Sequence, residues 1–148
     1  MSSGHAPTYL ATDIIGYSIL TQNDQRKAID LLETYQSILI PLIEKEGGAA
    51  IVCTGDAITA SFSSTLSAIR AGFAIQNALK DWSQSTPASK LTTRIGIHTC
   101  NCDNNGYLQQ LSQTMATSLE QLGCAKALCV SMEVIERIRH EMSFHDYP

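Results

Sequence analysis

Ala49-Ala50-Ile51-Val52-Cys53-Thr54-Gly55-Asp56-Ala57-Ile58-Thr59-Ala60-Ser61-Phe62 is the stretch that decides the fold. Two β-type runs, Ala49 to Thr54 and Ala57 to Phe62, flank Gly55-Asp56. Glycine relieves the backbone demands of a tight turn, so the stretch reads as a hairpin with an aspartate at its tip. Upstream, from Asp24 to Glu46, the apolar residues Ala28, Leu31, Leu32, Tyr35, Ile38, Leu39, Leu42 and Ile43 recur at three- and four-residue steps, which predicts a one-sided helix stopped by Gly47-Gly48. Pro41 lies inside that pattern and predicts a bend or local break near Ile38. Further upstream, Tyr9 to Asp13 reads as a strand that ends at a carboxylate and leads through Ile14-Ile15-Gly16-Tyr17-Ser18 into a helix.

Downstream of the hairpin, Ser63 to Trp82 carries the helical period, with Ser63 or Ser64 as cap. Leu66, Ile69, Phe73 and Ile75 read as its core residues, and Gly72 as a point of close packing. A polar connector, Gln84 to Ser89, precedes a strand from Leu91 to Cys100, and Cys102 to Gly106 is turn-rich. Leu108 to Leu122 reads as a helix, Leu128 to Ser131 as a last core strand and Met132 to His140 as a last helix, with an edge strand expected in the tail from Glu141 to Pro148. The order suits an α+β, two-layer sandwich on a ferredoxin-like core, its sheet mostly antiparallel and its helices on one face.

Length and charge narrow the function classes. The 148 residues fit one domain, 9–148, with 1–8 as a disordered tail or an expression remnant. Apolar residues make up 44% of the chain, and no apolar run approaches the roughly 20 residues of a bilayer span, so no membrane segment is expected. Ten Lys and Arg against fourteen Asp and Glu give a net charge of −4, the wrong sign for a protein that tracks a nucleic-acid backbone. The start of the chain has no secretory pattern. The five cysteines lack the spacing of a disulfide framework and read as reduced, which predicts a cytoplasmic location.

Two carboxylates then stand out by position, Asp13 at the end of the first strand and Asp56 at the hairpin tip. In a ferredoxin-like core these strands can lie side by side, so the pair could share two hard cations such as Mg2+ or Mn2+ and clamp oxygens in phosphoryl chemistry. The amides of Ile15, Gly16 and Tyr17 at a helix start would suit a polyphosphate. Arg94 on the long neighbouring strand could neutralise phosphate oxygens through its fork. A turn aspartate is also commonplace without any metal.

Thr12-Asp13-Ile14-Ile15-Gly16-Tyr17-Ser18, Glu46-Gly47-Gly48, Thr54-Gly55-Asp56-Ala57 and Arg94-Ile95-Gly96-Ile97-His98-Thr99 resemble, in order and spacing, the catalytic domain of class III adenylate and guanylate cyclases, in its short bacterial form. The likeness runs from about Tyr9 to Arg139. It implies a domain that pairs head to tail with a second one, as a homodimer or a heterodimer, and converts a nucleoside triphosphate to a cyclic monophosphate and pyrophosphate. On the metal side, the resemblance makes Asp13 and Asp56 the two metal aspartates, Ile14 the auxiliary carbonyl ligand and Arg94 a phosphate contact.

The other half departs from the family. Val52 stands where adenylate cyclases carry a purine-reading lysine, and it has no hydrogen-bonding group. The second purine-reading position falls at about Tyr107. The asparagine and the transition-state arginine fall at Thr114 and Ser118, and the stretch from Cys100 to Lys126 contains no arginine at all. The resemblance therefore implies a degenerate domain whose catalytic complement is missing.

Three readings follow: a dimerisation or regulatory module, a sensor that binds metal and triphosphate without turnover, and an active cyclase, above all as the metal-bearing half of a heterodimer. His98, Cys100 and Cys102 alternate along one strand and admit a zinc site, although no fourth ligand lies nearby in the sequence. His140 and His145 read as solvated, and Glu133, Glu136, Arg137 and Arg139 as the exposed face of the last helix.

Overall fold

The computed structural model describes residues 7–86, 91–99 and 128–143. The order is β1 (Thr8–Ile14), α1 (Tyr17–Asn23), α2 (Gln25–Lys45), β2 (Ala49–Thr54), β3 (Ala57–Phe62), α3 (Thr65–Ser85), β4 (Thr93–Thr99), β5 (Leu128–Val130) and α4 (Met132–Ser143). The five strands form one sheet in the order β2-β3-β1-β4-β5. The first four make the βαββαβ arrangement of a ferredoxin-like core. Pairs β1–β3, β1–β4 and β2–β3 are antiparallel, and β5 adds in parallel to β4, so the sheet is mixed.

Strand alternation sorts the two faces. Leu10, Ile14, Ile58, Ala60, Phe62, Ile95 and Ile97 point to one side and pack with Tyr35, Leu39 and Ile43 of α2, Ala68, Ala71, Ile75 and Leu79 of α3, and Val134 of α4. The opposite face carries Tyr9, Ala11, Asp13, Thr59, Ser61, Arg94, Gly96 and His98, matched by the cross-strand pairs Tyr9–His98, Ala11–Gly96 and Asp13–Arg94. The helix-covered core expected on one face is present.

The hairpin runs as the sequence predicts, with Gly55 at φ 59° opening a two-residue turn between the paired Thr54 and Ala57. Gly47 and Gly48 end α2 with the paired bonds of a Schellman motif, Gly48 N–H to the Ile43 carbonyl at 2.8 Å and Gly47 N–H to that of Glu44 at 3.0 Å. Ser64 caps α3 by accepting from Ser67 N–H. At Gly72 an added Cβ would fall 2.9 Å from a Leu128 methyl, the close helix-to-sheet packing read from the sequence.

The helix expected from Asp24 to Glu46 is α2, and the Asp24 carboxylate caps it by accepting from Lys27 N–H at 3.1 Å. Four expectations need correction. Pro41 does not break α2: the buried Leu39 and Ile43 hold both sides of it in the core, and the packing outweighs one lost backbone bond. Phe73 is not core but 56% exposed. It lies about 100° round the helix from Gly72, off the stripe of Ala68, Ala71, Ile75 and Leu79. Finally, α4 continues to Ser143, so the tail from Glu141 starts as helix, not as an edge strand, and Arg137 on α4 is buried where an exposed face was expected. The predicted turn at Cys102–Gly106, the helix at Leu108–Leu122 and the remaining tail lie outside the described residues.

Candidate active site

Asp13 and Arg94 face each other as a cross-strand pair on β1 and β4. Arg94 Nη2 donates to Asp13 Oδ2 at 2.9 Å and Nε to Oδ1 at 3.2 Å, a two-pronged guanidinium–carboxylate contact. The two side chains retain 31% and 17% of their exposure, so the pair sits at the sheet surface and not within the core.

Asp56 reaches the same end of β1 from the hairpin tip. Its Oδ2 accepts from Ile14 N–H at 3.0 Å. The β1–β3 register explains this: Thr12 pairs with Ile58, and two residues further along Ile14 comes opposite Asp56. The sequence-predicted trio Asp13, Ile14 and Asp56 is therefore brought together, with Arg94 beside it.

Beneath the site lies a chain of hydroxyls that the sequence reading did not single out. Thr93 Oγ1 donates to the Asp13 carbonyl at 2.7 Å, and the Tyr35 hydroxyl lies 2.7 Å from the same Thr93 oxygen. A threonine hydroxyl has one proton to give, so with Thr93 donating to Asp13 the proton between the two side chains comes from Tyr35. Burial pushes the Tyr35 phenol well above its ordinary range, and the charges of Asp13 and Asp56 push it further in the same direction. The signal was a tyrosine inside the apolar stripe of α2: a buried phenol needs a polar partner, and the threonines of the sheet were its candidates.

The expected phosphate loop is partly committed. Ile15 N–H donates to the Thr92 carbonyl at 2.9 Å, extending the β1–β4 ladder by one bond, so Gly16 and Tyr17 carry the remaining amides of that reading. Gly16 holds φ 81°, a left-handed conformation that glycine adopts without strain, and the chain turns there into α1. Ile15 itself is 37% exposed beside this loop.

Val52 lies on the same face as Asp13, opposite Thr59 and beyond a register shift between Ala49 and Val52, and is 49% exposed. Tyr107, Thr114 and Ser118 lie outside the described residues. So do Cys100 and Cys102 of the zinc alternative, and among the described residues no group of three or more His, Cys, Asp or Glu side chains gathers. His98 is buried on the polar face with its Nδ1 lacking a hydrogen-bond partner among the described residues, and burial lowers its pKa from 6.5 while Glu133 opposes the shift.

The donor set suits divalent cations completed by a substrate. Two carboxylates and a backbone carbonyl are too few for an all-protein cage, but Mg2+ commonly takes one or two carboxylates and fills its shell with phosphate oxygens and water. Asp13, Asp56 and the Ile14 carbonyl would hold such ions, which would supply charge neutralisation at a triphosphate.

No protein-family model matches the chain. It is 28% identical over 138 residues to the serine/threonine-protein kinase pkn2 of Myxococcus xanthus, covering 92% of this chain and 14% of that protein. It is 29% identical over 91 residues to the putative adenylate cyclase 3 of Rhizobium meliloti, covering 60% of this chain and 16% of that protein. The chain thus spans a small part of the length of both relatives. Among solved structures, the adenylate/guanylate cyclase/hydrolase of Silicibacter pomeroyi superposes with a TM-score of 0.74 at 26% identity, over 91% of this chain and 80% of that one. The adenylyl cyclase CyaB of P. aeruginosa gives 0.75 at 22% identity, over 92% and 81%, a likeness of fold. With the ferredoxin-like core, the converging aspartates and these likenesses in hand, the chain has the fold of class III adenylate/guanylate cyclase domains.

Proposed function

We propose that this domain binds a nucleoside triphosphate with Mg2+ or Mn2+ through Asp13, the Ile14 carbonyl, Asp56 and Arg94, and does not turn it over unaided. It serves as a regulatory or dimerisation module in the cytoplasm, head to tail with a second copy or with another cyclase domain. The observation that carries the reading is the contrast between its halves. Asp13 and Asp56 meet at one end of β1, bonded to Arg94 and to Ile14 N–H. The complementary positions hold Val52, Tyr107, Thr114 and Ser118, with no arginine between Cys100 and Lys126. A donor aimed at developing charge lowers the barrier by about 3 to 4 kcal/mol, and Ser118 has no charge to offer. The match to a 14% share of a longer kinase supports a role as one module among others.

A second reading, the metal-bearing half of an active heterodimer, is favoured by the same retained aspartates. The purified domain, given ATP or GTP with Mn2+, is expected to yield no cyclic nucleotide above the Asp56→Ala background. Calorimetry is expected to show Mg2+-dependent binding of a non-hydrolysable triphosphate that Asp13→Ala abolishes. Turnover that vanishes in Asp56→Ala would overturn the inactive reading, and no heat of binding would leave only the structural module.

A further inference from the structure

The arginine assigned to phosphate is bonded to the carboxylate assigned to metal. Arg94 engages both oxygens of Asp13, at 2.9 and 3.2 Å. We propose that Arg94 is a latch on the metal site: it holds Asp13 closed, so that a divalent cation enters together with a triphosphate, which draws the guanidinium off the carboxylate. The inference rests on Asp13 and Asp56 being metal ligands.

Geometry makes the contact hard to avoid and easy to exchange. Asp13 and Arg94 are opposite each other in the β1–β4 register, so the backbone keeps the two side chains within reach whatever is bound. The Asp13 backbone is further pinned by the Thr93 hydroxyl on its carbonyl, and Asp56 by Ile14 N–H on its carboxylate. The carboxylates are therefore held on a fixed frame. Arg94 is the long, flexible member, and its side chain is the more exposed of the pair, at 31% against 17%, which leaves it a path outward along the sheet surface.

Charge decides the order of events. A dication approaching Asp13 meets a guanidinium that repels it and already uses the oxygens it needs. The cation alone must break a two-pronged, charge-assisted contact without replacing it. A triphosphate changes this, because its oxygens offer the guanidinium an equivalent planar partner and at the same time complete the shell of the cation. Arg94 exchanges one oxyanion for another, and Asp13 is released to the metal. Cation and triphosphate then raise each other's affinity by the same factor, as linkage requires.

The test measures Mn2+ binding by electron paramagnetic resonance of the free ion, and binding of the Mn2+–inorganic triphosphate complex by calorimetry, on the full chain. Removing the latch should strengthen binding of the cation alone, the opposite of what losing an ordinary site residue does. Arg94→Gln is expected to bind Mn2+ alone about tenfold more tightly than the parent, while losing the gain that triphosphate confers. Arg94→Lys, which keeps the charge but not the fork, is expected to fall between them, and it decides the question if circular dichroism shows that Arg94→Gln does not fold. Equal affinity of parent and variants for Mn2+ alone would overturn the latch and leave the metal reading standing. Failure of the parent to bind the Mn2+–triphosphate complex, together with failure of the variants to bind Mn2+, would overturn the metal reading and the latch with it.

Discussion

The Tyr35 hydroxyl lies 2.7 Å from Thr93 Oγ1, and Thr93 passes the connection to the Asp13 carbonyl at 2.7 Å. A core residue of α2 is thus tied through two hydroxyls to the strand end that carries the candidate metal ligand. Both side chains are fully buried, so the contact pairs polar atoms that water does not reach.

Tyr35→Phe removes the only proton donor of this pair and leaves the Thr93 oxygen one partner short in a buried place. The expected loss is about 1 to 3 kcal/mol of stability, read as a lower urea midpoint at unchanged slope. Pairing it with Thr93→Val in a double-mutant cycle should show the two losses to be strongly non-additive, because both delete the same contact. Additive losses would mean that the two hydroxyls act independently. In the parent, Tyr35 should give no phenolate absorbance in the alkaline range where exposed tyrosines ionise, since burial raises its pKa.

His98 gives the stability of the domain an acid limb. Its pKa is lowered in the folded state, chiefly by burial, so the unfolded chain takes up a proton before the folded one does. The stabilising contribution of neutral His98 is present above the unfolded value of about 6.5 and is lost as pH falls from there through the folded pKa. Chemical denaturation at several pH values should show this decline in the parent and a shallower one in His98→Gln. Glu133→Gln should steepen it, because the Glu133 charge favours the imidazolium and partly offsets burial. An identical slope in parent and His98→Gln would assign the acid limb to other groups.

Much of this was legible along the chain, and the exceptions share a cause. The hairpin at Gly55-Asp56, the stop at Gly47-Gly48 and the Ser64 cap are local features: a few neighbouring residues dictate the backbone, and the structure reproduces them. The meeting of Asp13 with Asp56 needed one further step, the side-by-side placement of β1 and β3 that the strand order implies. The Asp13–Arg94 pair was not legible, because residues 81 positions apart are matched by the register of β1 on β4, which no local pattern sets. Phe73 failed for a related reason. Periodicity alone does not say which side of α3 meets the sheet, and Gly72 against Leu128 turns the small residues inward.

Restoring the missing half is the most direct test of why the domain should be silent. If the metal half is sound and the complement alone is lacking, then Thr114→Asn with Ser118→Arg should create activity where there was none. One charged donor placed at developing negative charge is worth about 10²–10³ in rate, so a gain of that order with Mn2+ and ATP or GTP is expected over the parent. Adding Val52→Lys should then shift the preference toward ATP, because a lysine there supplies the purine-reading group that the resemblance places at this position. The gain must disappear when Asp56→Ala is introduced as well, since the same metal half has to serve the rebuilt site. Activity that survives Asp56→Ala would come from elsewhere. A folded, dimeric variant that binds Mn2+–triphosphate yet shows no gain would mean that the silence of the parent has a cause beyond Thr114 and Ser118.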